Sequence, residues 1–201
     1  MSSGEQPLMG PIHFPALHRA VERYKIINLV ETGTGPSSSG MEAAKRLGLR
    51  GYSCDVYAPC VMRASELYPE FRIELCNSLD FLKAVLPTLS GPTFFWLDGH
   101  CPTDPSCIPG GVFPLYEEML LVRQLNSRYE RDVIWIDDIP MIMDPENPYA
   151  WKSAEGLLAG KPWFGERDHT WAQYCDVFKK THQTDIVDLV MRLTPKDHAQ
   201  N

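Results

Sequence analysis

Apolar and polar positions alternate along the chain in blocks that change period. Residues 11–24 carry apolar side chains at helical spacing and predict a helix lying on a sheet. "KIINLVE" (25–31) is a short, nearly continuous apolar run and predicts a buried strand. The same alternation of blocks continues: helix 39–48, strand 50–57, helix 59–69, strand 71–76, helix 78–89, strand 93–100, helix 114–125 and strand 132–139. In helix 78–89, Phe81, Leu82, Val85 and Leu86 fall on one face, and Ser78 is its expected N-cap. A proline-rich and aromatic-rich stretch follows, residues 138–165, too long to be an ordinary connection and read as a lid or substrate loop. A helix over 169–181 and one last strand over 184–193 complete the pattern.

Strands that alternate with helices imply parallel pairing and right-handed crossovers. Strands apolar on both faces imply helices on both sides. The expectation is a single α/β domain over residues 1–201: a doubly wound, mostly parallel, Rossmann-like sheet in three α/β/α layers. Its ligand crevice then lies at the carboxyl ends of the strands.

Composition narrows the partners. A net charge of −7 argues against general binding to nucleic acid or to an anionic membrane surface. No apolar run reaches membrane-spanning length, and "MSSGEQPLMG" lacks the basic and apolar regions of a signal peptide. The six cysteines are scattered, several of them in apolar strands, which predicts reduced thiols in a cytoplasmic setting. His100, Cys101 and Cys107 match no common zinc spacing and lack a second ligand pair.

The chemistry concentrates at strand ends. "VETGTGPSSSG" places Gly33 and Gly35 after the first strand, where glycine allows a sharp turn and close approach of a ligand. The third position of a dinucleotide fingerprint is Ser38, and the Gly-Lys-Ser/Thr of a phosphate loop is absent. Glu31 beside the turn would repel a pyrophosphate and attract an ammonium group. Asp55, about two dozen residues further on, stands where an acid hydrogen-bonds ribose hydroxyls. Asn77 and Ser78, after the third strand, are candidates for the adenine edge. "WLDGH" and "WIDDI" put Asp98, His100, Asp137 and Asp138 at two further strand ends, roughly 5 Å apart if the strands are neighbours. Converging carboxylates of this kind suit Mg²⁺ or Ca²⁺.

Together, Glu31-Thr32-Gly33-Thr34-Gly35, Asp55 and "FFWLDGH" resemble the class I S-adenosylmethionine-dependent methyltransferases over residues 24–140. Within these, "VETGTG…FWLDGH…IWIDDI" is similar to small bacterial members of unassigned substrate and, more distantly, to macrocin O-methyltransferase-like proteins. The resemblance implies an S-adenosylmethionine site at Glu31, Gly33, Gly35 and Asp55. It also implies a metal, Mg²⁺, on Asp98, Asp137 and Asp138. The catalytic base of the distant group is an acid, and His100 occupies its position here. The function so implied is methyl transfer to a hydroxyl of a small molecule, with Asp98 and His100 at the reacting centre. A non-catalytic cofactor-binding protein and a metal-dependent hydrolase using Asp98, His100, Asp137 and Asp138 are the alternatives. Trp151, Trp163, Phe164 and Trp171 either wall a substrate pocket or form an interface, such as that of a homodimer.

Overall fold

A computed structural model of the chain describes residues 14–99, 114–137, 171–187 and 190–196. Its elements are α1 (Phe14–Tyr24), β1 (Asn28–Thr32), α2 (Ser39–Leu47), β2 (Arg50–Asp55), α3 (Ala58–Leu67), β3 (Arg72–Leu75) and α4 (Ser78–Val85). After these come β4 (Thr93–Leu97), α5 (Leu115–Leu125), β5 (Val133–Ile136), α6 (Trp171–Phe178), β6 (His182–Val187) and β7 (Val190–Pro195). The strands form one seven-stranded sheet in the order β3-β2-β1-β4-β5-β7-β6. Pairs among β1 to β5 are parallel, whereas β7 runs antiparallel to both β5 and β6. The alternating, mostly parallel architecture expected from the hydrophobic pattern is therefore the one observed. Residues 138–165, the expected lid, lie outside the described residues.

Two local expectations are corrected. The last strand is a hairpin: 184–193 spans parts of β6 and β7, which pair in register from His182↔Pro195 to Val187↔Val190. An apolar-polar period of two cannot show a reversal of direction, because each arm carries the same alternation. The N-cap of α4 is Asn77 rather than Ser78. Its Oδ1 accepts from Asp80 N at 2.9 Å, and its Nδ2 donates to Asp80 Oδ2 at 2.7 Å. Ser78 is the first helical residue and is buried.

Each face of the sheet packs its own core. On one side Phe94, Trp96 and Trp135 meet Leu17 of α1 and Met41 and Ala44 of α2. Trp135 stands edge-on to Phe94 at 5.0 Å, and Arg192 lies over its ring at 4.5 Å. On the other side Val30, Phe95, Leu97 and Ile134 meet Phe81 and Leu82 of α4, Met119 of α5 and Phe178 of α6. Side chains of this size each stabilise by about 1.5–3 kcal/mol when fully buried. Among the described residues no helix is long and apolar enough to cross a membrane.

A buried polar clasp closes the amino ends of the strands. Asp132, fully buried before β5, accepts from Thr93 N at 2.7 Å and from Asn126 Nδ2. Its backbone carbonyl accepts from His182 Nε2 at 2.9 Å, so His182 Nδ1 is free to accept from Thr181 Oγ1. Asn28 Nδ2 donates to Ser90 O and Thr93 Oγ1, at 3.0 and 3.2 Å. Removing the Asp132 carboxylate would orphan two buried donors. The variant Asp132→Ala is expected to lose about 2–4 kcal/mol. That is a fall of roughly 5–15 °C in melting temperature, read by calorimetry.

Candidate active site

The carboxyl edge of the sheet is built by extending its ladders one residue past each strand. Cys76 N donates to Asp55 O at 3.1 Å, Asp98 N to Thr32 O at 3.1 Å, and Asp137 N to Leu97 O at 3.3 Å. Asp55, Asp98 and Asp137 thus stand at the carboxyl ends of β2, β4 and β5, with β1 between the first and the other two.

The glycine turn is folded back onto β2. Gly33 N and Thr34 N both donate to Cys54 O, at 2.9 and 3.0 Å. Gly33 has φ +80°, and a Cβ there would run into the carbonyl of Asp98, so glycine lets the turn touch the end of β4. Ser38 fills the third fingerprint position with φ +50°, a conformation that costs a non-glycine residue about 1–2 kcal/mol. The Ser38 hydroxyl is buried and has no hydrogen-bond partner.

Asp55 clamps the turn. Oδ2 accepts from Gly35 N at 2.9 Å, and Oδ1 accepts from Tyr57 N at 2.8 Å. Each oxygen retains lone-pair capacity, and the side chain is only partly buried, so a pair of hydroxyls can still be bound. Asn77 stands at the same edge as the cap of α4. Ser78 is buried at the start of α4 and faces Glu118.

Glu31 is fully engaged below the turn. Its Oε1 accepts from Gly40 N at 2.9 Å, and its Oε2 accepts from Ser53 Oγ at 2.7 Å. Ser53 Oγ is also 2.7 Å from Thr34 Oγ1, which extends the chain into the turn itself. A side chain at Gly40 would collide with the Glu31 carboxylate. Burial pushes the Glu31 pKa up to about 8, and the bonds from Ser53 and Gly40 oppose the rise. Glu31 therefore faces α2, and it reaches a ligand only through the turn it holds.

Asp98 is partly buried, and its Oδ2 accepts from Trp96 Nε1 at 3.4 Å. Asp137 is buried on the neighbouring strand end. Among the described residues no three metal-ligating side chains cluster. His100 and Asp138 lie outside the described residues.

The sequence pattern missed Ser53, Thr32 and Glu118. The signal for Glu118 is its spacing. Leu115, Glu118, Met119 and Val122 are the buried stripe of α5, and an acid within such a stripe must be paired or functional.

No family model matches this chain. No curated protein matches it in sequence. Solved structures do share its fold. One is a candidate caffeoyl-CoA O-methyltransferase from Staphylococcus aureus, 10% identical, covering 94% of this chain and 85% of its own, with a TM-score of 0.55. Another is a protein from Corynebacterium glutamicum, 11% identical, covering 97% and 85%, with a TM-score of 0.54. The Podospora anserina methyltransferase PaMTH1, solved with S-adenosylhomocysteine bound, is 13% identical over 92% and 78%, with a TM-score of 0.50. The chain has the fold of the class I S-adenosylmethionine-dependent methyltransferases.

Buried acids with raised pKa values set the pH response. Glu31 (about 8) and Glu118 and Asp132 (both about 7) favour their neutral forms in the folded state. Their contribution to stability is whole below the ordinary carboxylate range and is lost as pH rises through about 7–8. The ligand-free protein is expected to melt at a lower temperature at pH 8.5 than at pH 5.5. Glu31→Gln, which keeps an acceptor for Gly40 N, should flatten that difference. Thermal melts across this range check both.

Proposed function

We propose that this protein transfers a methyl group from S-adenosylmethionine to a hydroxyl oxygen of a small molecule. The observation that carries the reading is Asp55. It is clamped to the Gly35 amide at the carboxyl end of β2 and keeps acceptor capacity toward the crevice. A glycine turn with no lysine or arginine, bordered by strand-end acids, suits a cofactor with a positive charge and no phosphate. PaMTH1, of similar fold, holds S-adenosylhomocysteine, and this supports the choice of cofactor.

In this scheme Asp55 binds the ribose and the turn at Gly33 and Gly35 carries the cofactor's amino-acid end. Glu31 holds that turn from beneath, and Asn77, at the opening of α4, borders the adenine. Asp98, Asp137 and Asp138 are the ligands assigned to Mg²⁺, and the first two end neighbouring strands. When bound, such an ion lowers the pKa of an acceptor hydroxyl. His100, two residues beyond Asp98 in sequence, is the base that takes the hydroxyl proton. Most of the rate comes from holding two reactants in line.

Calorimetry with S-adenosylhomocysteine tests the cofactor. Affinity is expected to fall about tenfold or more in Asp55→Ala, from loss of charge-assisted hydrogen bonds. It should be abolished in Gly33→Val, where the turn can no longer meet β4. Equal affinity in both variants would remove the site from this edge.

His100→Ala tests the base. Cofactor affinity should stay within about twofold while methyl transfer slows by about 10²–10⁴-fold. The defect should shrink at high pH, where the acceptor ionises unaided. Near-normal turnover at every pH would exclude His100 as the base.

A further inference from the structure

Beneath the crevice, on the face of the sheet opposite Glu31, lies a second buried acid. Glu118 projects from α5 to the point where three segments of the carboxyl edge converge. Thr32 ends β1, Gly99 follows β4, and Ser78 opens α4. Thr32 Oγ1 donates to Glu118 Oε2 at 3.5 Å, and the Ser78 hydroxyl stands beside the same carboxyl group. A Cβ on Gly99 would sit 3.3 Å from Glu118 Oε1. The side chain is fully buried, yet Oε1 has no hydrogen-bond partner.

An acid in this state is costly unless a partner arrives. Burial pushes its pKa up to about 7. The two hydroxyls oppose that rise, Glu117 adds to it, and no cation among the described residues offsets it. The missing partner is therefore a positive charge or a donor that the described residues do not supply. Glu31 cannot fill the same need, because each of its oxygens already accepts a hydrogen bond on the α2 side.

We propose that Glu118 is the counter-charge for the cationic methionine end of the cofactor, the sulfonium and ammonium groups, seated over Thr32, Gly99 and Ser78. The inference rests on the S-adenosylmethionine reading above. It assigns Glu118 a binding role that spends folding stability for affinity, as functional residues commonly do.

The test is calorimetry on the full chain, as wild type and as Glu118→Gln, with two ligands. S-adenosylmethionine carries both positive groups. 5′-Methylthioadenosine keeps the adenosine and the sulfur but has neither charge. The glutamine variant should bind S-adenosylmethionine at least tenfold more weakly, while its affinity for 5′-methylthioadenosine changes less than twofold. At pH 8.5, above the raised pKa of Glu118, its ligand-free melting temperature should equal or exceed that of wild type, since a neutral isostere there relieves the buried charge.

Equal losses for the two ligands, or no loss for either, would overturn the assignment. A glutamine variant that unfolds, or melts well below wild type, would make Glu118 part of the scaffold and overturn it as well. Wild type that binds neither ligand would defeat the cofactor reading itself. That result is distinct from a binding wild type whose variant loses both ligands alike.

Discussion

The carboxylate of Glu31 joins three elements that otherwise meet only at their ends. Gly40 N of α2 and Ser53 Oγ of β2 both donate to it, and Glu31 itself belongs to β1. Ser53 passes the connection on to Thr34 in the turn. The first turn of a helix has backbone N–H groups without intrahelical partners, and the Glu31 carboxyl oxygen satisfies the one at Gly40. This tie joins the start of α2 to β1 and β2, and the turn between them is held as well by Cys54 O and by Asp55. The cost of the tie is a carboxyl group buried deeply enough to hold its proton near neutral pH.

The strand geometry places Glu31 and its neighbour on opposite faces. Glu31 faces α2, while Thr32 faces α5 and meets Glu118. Successive residues of one strand end thus serve two buried acids, one on each side of the sheet. They differ in completion: both oxygens of Glu31 are bonded, whereas Glu118 keeps one bare. A satisfied network stiffens a scaffold, whereas a buried acceptor left without a partner carries its full desolvation cost.

The amino edge of the sheet carries its own buried polar cluster. At the amino ends of β1, β4 and β5, Asn28, Thr93 and Asp132 bond mainly to one another and to backbone. His182 from the antiparallel hairpin locks that edge. At the carboxyl edge the Asp55 carboxylate holds two backbone amides and keeps acceptor capacity.

Much of this was legible in the chain itself, because burial on both sheet faces imposes continuous apolar runs and helices impose a period of 3.6. The strand ends followed from those periods, and the glycine turn and the acids Asp55 and Asp98 could be read off the residues standing there, whereas the neighbouring of β4 and β5 was decided by the sheet. Other features were decided only in three dimensions. The backbone donor at Asp80 chose Asn77 as the cap of α4, although Ser78 is an equally good capping residue in sequence. The terminal segment folded into two strands because β7 could pair with both β5 and β6, a choice its alternation leaves open. The face to which Glu31 points depends on where α2 packs, since a strand-end acid reads the same whether it meets a helix or a ligand. Glu118 sat in plain view within an apolar stripe. Its meaning came from Thr32, Ser78 and Gly99, residues up to 86 positions away in the chain that only the closed sheet brings to its side.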